Sequence, residues 1–279
     1  MSHPSATTIA ADQNAVSGAA KRDLADWPSS EEGARMIGKA LVSIMSSAAL
    51  LAVTAAPVRS DDDARPLSEA QIALFESDHL HDIHQATQLE YRFHHLVRDG
   101  KDKDDYVDRI ALDLHPRDDG GKDVWVDFLS GEHHIAYPPL MGFHGNPILM
   151  FFLERDVNEM RRSTGGAATY FRNTLRRAFV DQAVVRPTEI ERDGKATPAT
   201  EIKLAPFARD SQIANASPAL KDKQYRFVLS QSVPGEIYEI TAWVPGESGG
   251  QPQAEDSVTF AGEQPCQTDE GPCTRPASP

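Results

Sequence analysis

The sequence predicts an α+β fold: an antiparallel, curved β-sheet of six or more strands packed on a central helical pair. Three observations point there. Residues 143–182 carry two helical patterns separated by Thr164-Gly165-Gly166. Alternating apolar segments punctuated by turn residues lie on both sides of that pair. Beyond residue 60 no apolar run reaches the roughly 18 residues a membrane span needs, so no integral span is expected after removal of a leader.

The chain opens with residues 1–35, a polar leader that is expected not to be natively translated. Glu31-Glu32-Gly33 can be encoded by a purine-rich ribosome-binding sequence just ahead of Met36, which makes Met36 the expected initiator. Residues 36–56 then read as a signal peptide: Lys39, an apolar core of about fourteen residues, and small residues at Val53-Thr54-Ala55-Ala56. The expected destination is the periplasm or the medium. A net charge of −14 disfavours nucleic acid as a partner, because such binding rests on neutralising phosphates with Lys and Arg.

Next, Ser68-Glu69-Ala70-Gln71 resembles a capping box and is expected to open a helix to about His84, with Ile72, Phe75 and His79 on its inner face. Gln88–Arg98 and Tyr106–Pro116 form a hairpin across a polar turn. The register that best sorts apolar from charged side chains pairs Phe93 with Leu112, Tyr91 with Leu114 and Arg92 with Asp113. A third strand covers Asp123–Leu129.

In the helical pair, Asn146 is a favourable N-cap and Pro147 a favourable first helical residue. Ile148 to Leu153 are apolar on every side, so other structure must enclose them. The second helix carries a narrower stripe of Phe171, Leu175, Ala178 and Phe179, with arginines opposite. After it, Val184–Arg192 and Thr197–Phe207 flank the hairpin signal Asp193-Gly194, with Pro187 and Pro198 marking an edge. Tyr225–Gln231 and Glu236–Val244 make a last hairpin, pairing Phe227 with Ala242 and laying Arg226 over Trp243. Residues 57–246 form the expected domain. Residues 247–279 are expected to be a flexible tail with one short strand near Ser257–Ala261 and a Cys266–Cys273 disulfide. Closing that loop is worth about 2.5 kcal/mol, to the tail alone unless the tail docks.

For chemistry, nine of the ten histidines fall between residues 79 and 144. At helical spacing, Asp78, His81 and His84 could ligate zinc or copper; otherwise no cofactor is expected. Adjacent histidines on a strand face opposite ways, so the count overstates a cluster. Ser130 beside His133 and His134 is the nearest approach to a nucleophile and base, and Glu154 and Asp156 the nearest to paired carboxylates; no GxSxG or HExxH motif occurs. The arginines around Gly165-Gly166 suit helix capping better than an anion site, and the acidic loops lack calcium-hand spacing.

The leading expectation is therefore an exported, non-catalytic protein. It would bind an apolar or lipid-like ligand, or an envelope protein, between sheet and helices. Ile148, Phe151 and Phe152 would line the site, and Arg172 and Arg176 would meet an anionic head group. The alternatives are a metal-assisted envelope hydrolase and a structural domain without a ligand.

Overall fold

A computed structural model describes residues 66–98, 104–246, 250–268 and 271–273. The expected leader and signal peptide lie outside the described residues. Ten strands make one open antiparallel sheet: β1 (Thr87–Val97), β2 (Asp104–Pro116), β3 (Lys122–Phe128), β4 (Ile135–Ala136), β5 (Leu140–Phe143), β6 (Val184–Arg192), β7 (Lys195–Leu204), β8 (Gln224–Leu229), β9 (Ile237–Val244) and β10 (Ala254–Pro265). Their order is β4-β3-β2-β1-β10-β9-β8-β7-β6, with β5 also pairing β3. Among the described residues five α-helices accompany them: α1 (Glu69–Gln71), α2 (Ile148–Thr164), α3 (Ala168–Asp181), α4 (Ser211–Ala216) and α5 (Pro218–Lys221). Among the described residues no helix is long and apolar enough to cross a membrane.

The capping box at Ser68 forms as expected, with Gln71 answering from the third position. The helix it opens does not reach His84. It passes into a π-helical turn, Ile72–Glu76, closed by the Ser77 N–H on the Ile72 carbonyl at 3.0 Å. A π turn advances the inner face by more than an α turn does. Ala70 and Leu74 are therefore buried, whereas Ile72 and Phe75 are about half exposed.

Both faces of the first hairpin are as expected, but its register is not. Leu89, rather than Phe93, pairs with Leu112, and Tyr91 with Ile110. β2 begins at Asp104, two residues ahead of the expected Tyr106, and the shorter turn slides the strands by four residues. An even slip keeps every side chain on its own face, so alternation could not choose between the two registers. The slip moves Asp113 from Arg92 to Gln88, whose amide donates to it at 2.5 Å. In the last hairpin, β8–β9, the slip is two residues: Phe227 pairs with Ile240, and a bulge follows at Val228/Leu229. Arg226 consequently meets Glu201 and Glu239 instead of Trp243. The β6–β7 hairpin turns at Asp193-Gly194, both with positive φ, and β6 is the edge strand that Pro187 signalled.

The largest correction concerns residues 247–279. β10 is twelve residues long and lies in the middle of the sheet, between β1 and β9. The boundary at residue 246 cuts through the fold, since Ala254–Pro265 is a sheet strand and not part of a free tail. Its strand reads poorly in sequence because acidic and small residues interrupt its apolar set, Val258 and Phe260; its neighbours supply the rest of the burial.

α2 and α3 contribute Ile148, Phe151, Phe152, Val157, Phe171, Leu175 and Phe179 to the same buried cluster as Leu89, Phe93, Ile110, Phe227 and Ile240 of the sheet. Ring contacts tie the elements together: Phe151 with Tyr137 at 4.0 Å between centroids, and Phe179 with Phe227 at 5.7 Å. Gly165, in the left-handed region at φ 71°, ends α2 and sends its N–H to the Arg161 carbonyl at 2.9 Å.

Candidate functional site

Asn146, just ahead of α2, lies where His79 and the turns around it approach the sheet. Its Oδ1 accepts the Ile148 N–H at 3.1 Å, across Pro147, which stands at the N-cap of α2 where Asn146 was expected, so that α2 begins one residue later at Ile148. Its Nδ2 donates to the Tyr91 hydroxyl and to the Gly235 carbonyl, both at 2.8 Å. Its own N–H donates to His79 Nδ1 at 3.3 Å, which leaves His79 Nε2 as the protonated nitrogen that donates to the Ala73 carbonyl at 2.7 Å. Four stretches of chain, the π turn through His79, β1, the β8–β9 turn and α2, are thus held by one buried asparagine, through its backbone N–H and its side-chain amide. Burial raises the Tyr91 phenol well above its usual range, opposed by the Asn146 hydrogen bond, so it stays a neutral partner.

His79 and Gly235 also form part of the floor of a cleft of about 500 Å³. Its rim carries His81, Asp82, His84, Arg192, Glu236 and Glu263. The segment from Ser77 to His84 is a series of turns rather than a helix, so Asp78, His81 and His84 lose the helical spacing on which the metal expectation stood. The Asp78 carboxylate accepts the Leu80 N–H at 3.2 Å, and its carbonyl hydrogen-bonds His81 Nδ1 at 2.8 Å. That carbonyl contact, against slight burial and with help from the Asp82 and Glu236 carboxylates, raises the His81 imidazole above its ordinary value. His84 is exposed. Among the described residues these three do not form a metal-type cluster; the group that does is His115 with Cys266 and Cys273.

The expected apolar site is occupied by the protein itself. Ile148, Phe151 and Phe152 are 0, 4 and 1 % exposed and packed into the core. None of them lines the histidine cleft or a second cleft of about 580 Å³ beside Ala219 and Gly246. Arg172 clasps Glu154 with two hydrogen bonds, one of them from Nε at 2.9 Å, and Arg176 is exposed. Ile148, Phe151, Phe152, Arg172 and Arg176 line neither of these two clefts.

Behind the apolar residues, α2 turns two charges into the core. Arg155 pairs with Asp256 of β10, and His95 Nδ1 meets the same carboxylate at 2.5 Å. The Arg155 guanidinium also lies 4.7 Å over the Phe93 ring. Burial opposes ionisation of Asp256, but the His95 hydrogen bond and the Arg155 charge outweigh it and hold the carboxyl below its ordinary range. Next along the helix, Asp156 is paired with Lys223 and accepts the Tyr225 hydroxyl at 2.5 Å. Both oxygens of Asp156 are thus engaged, and both oxygens of Glu154 are held by Arg172, so the two carboxylates considered as a catalytic pair are each committed elsewhere. Ser130 donates its hydroxyl to Asp108 at 2.8 Å instead of to a histidine. Sequence reasoning missed these buried pairs because Arg155 and Asp156 look like the solvent side of an amphipathic helix.

No protein-family model matches this chain. No curated protein matches it either. Among solved structures, a crystal structure of MucB aligns at 11 % identity and a TM-score of 0.30, over 71 % of this chain and 59 % of that one. The chain thus spans less than two thirds of the length of MucB.

Proposed function

We propose that this is an exported, non-catalytic binding protein that uses the cleft between the His79–Gln85 segment and the β8–β9 turn to hold a polar, net-basic segment of an envelope protein. The observation that carries this reading is where the open space lies. The apolar residues of α2 are spent on the core, whereas the cleft above Asn146 is open and polar. Its rim sets Asp82, Glu236 and Glu263 against the single cation Arg192 and two histidines. An apolar ligand gains little from such a surface, while a Lys- or Arg-bearing segment meets excess carboxylate. The floor is held by a satisfied hydrogen-bond network, so binding need not order it first.

The test places a photo-crosslinking amino acid at His84, on the rim, and at exposed Val107 as a control, in the protein expressed in its own cells. Crosslinks to a protein from position 84 and not from 107 are the expected result. Equal crosslinking at the two positions would overturn the reading. So would a stoichiometric co-purified lipid seen by native mass spectrometry, which would return the site to the helix–sheet interior.

A further inference from the structure

We infer that Cys266, Cys273 and His115 form a redox-gated site for a zinc-type divalent cation, closed when the cysteines are joined and competent once they are reduced. The two sulfurs are bonded as a disulfide. Both sulfurs and a ring nitrogen of His115 lie within 4.8 Å of one another, and His115 is buried. This face of β2 is the one opposite Leu112 and Leu114, by strand alternation, so the site is on the other side of the sheet from the helices.

The cysteine backbones are anchored independently of the sulfur–sulfur bond. The Cys266 N–H donates to the Ala86 carbonyl at 2.9 Å, just beyond the end of β10. The Cys273 N–H donates to Asp113 Oδ2 at 3.0 Å, two residues before His115. Asp113 is itself fixed by Gln88. Breaking the disulfide leaves those hydrogen bonds, and hence the two side chains beside the imidazole. The Cα atoms are 5.1 Å apart. Tetrahedral zinc with bonds of about 2.3 Å to sulfur and 2.0 Å to nitrogen separates its donors by about 3.5–3.8 Å, which side-chain rotation alone supplies here. Two thiolates and an imidazole are three ligands, and water completes the fourth position.

The gating step balances. A dithiol reductant attacks one sulfur, forms a mixed disulfide, and leaves as its own disulfide, delivering two electrons and two protons to the cysteine pair. The cation then displaces the two thiol protons as it binds. In the joined state no thiolate exists and His115 alone cannot hold the ion.

The experiment uses the full chain and cobalt(II) as the probe, because thiolate-to-cobalt charge transfer and tetrahedral d–d absorption report the ligands directly. Anaerobically reduced protein should take up one cobalt with both signatures. Oxidised protein should show neither, which also controls for the other histidines. His115→Ala should weaken binding at least about tenfold, and Cys273→Ser should remove most of the charge-transfer intensity. The oxidised His115→Ala protein is checked for an unchanged thermal transition, so that loss of binding is not loss of fold. Absence of thiolate–cobalt absorption in the reduced wild type overturns the inference. So does a His115→Ala protein that binds as tightly as wild type, or equal uptake by the oxidised form.

Discussion

Asn146 and Gly235 are 89 positions apart, and each requires the other. The Asn146 amide donates to the Gly235 carbonyl at 2.8 Å. Gly235 stands at φ +73°, and a Cβ there would come within 2.8 Å of the Asn146 amide nitrogen and of Leu89 Cδ1. A side chain at 235 would therefore push out the amide that bonds the Ile148 N–H and holds Tyr91.

Asn146→Ala should lower stability by about 3 kcal/mol, since it removes three side-chain hydrogen bonds and leaves the buried Ile148 N–H, Tyr91 hydroxyl and Gly235 carbonyl without them. Gly235→Ala should destabilise clearly more than Gly194→Ala. Both sit at positive φ, but Gly194 has open space where its Cβ would go. Urea midpoints of the three variants check this, and equal shifts for the two glycines would show that the contact with Asn146 is immaterial.

Truncation after residue 246 should abolish folding. The cut removes β10 and leaves β1 and β9 each without a partner on one side. Circular dichroism and proteolysis of the truncated chain provide the measurement; a protease-resistant product would restore the shorter domain.

Acid should strip away the contribution of Asp256. Its folded carboxyl titrates below the unfolded value near 3.8, so the stabilisation is complete above that pH and is lost as pH falls through the folded value. Asp256→Asn should lower stability at neutral pH and flatten the dependence below about pH 4. An acid limb as steep as wild type would assign the transition to other carboxylates.

Phe152→Ala should cost about 3–5 kcal/mol as a buried ring is lost, while Arg176→Ala, on the exposed side of α3, should change little. Thermal melts of the two variants separate them, and comparable shifts would mean that the helix faces are assigned wrongly.

How much of this was legible in the residues differs from element to element. The local signals were sufficient where the physics is local. Ser68 and Gln71 close a capping box, and Asp193-Gly194 turns a hairpin, because each arises between neighbours in the chain. Apolar alternation likewise sorted the faces of β1, β2, β8 and β9. It could not choose register, because slips of two or four residues preserve every face and only the partner strands separate them. Nor could it place β10, whose burial comes from β1 and β9. Helical periodicity gives no reason to bury Arg155 and Asp156; Asp256, Lys223 and Tyr225, between 67 and 101 residues away, make their burial tolerable. The same is true of the histidines: nine are clustered in sequence, but a π turn and the turns after it disperse Asp78, His81 and His84. The histidine that meets two sulfurs is His115, brought there by a strand the chain forms about 150 residues later. Short-range patterns settled the antiparallel α+β class and the capping box at Ser68, while pairing across long separations decided which buried polar groups find partners.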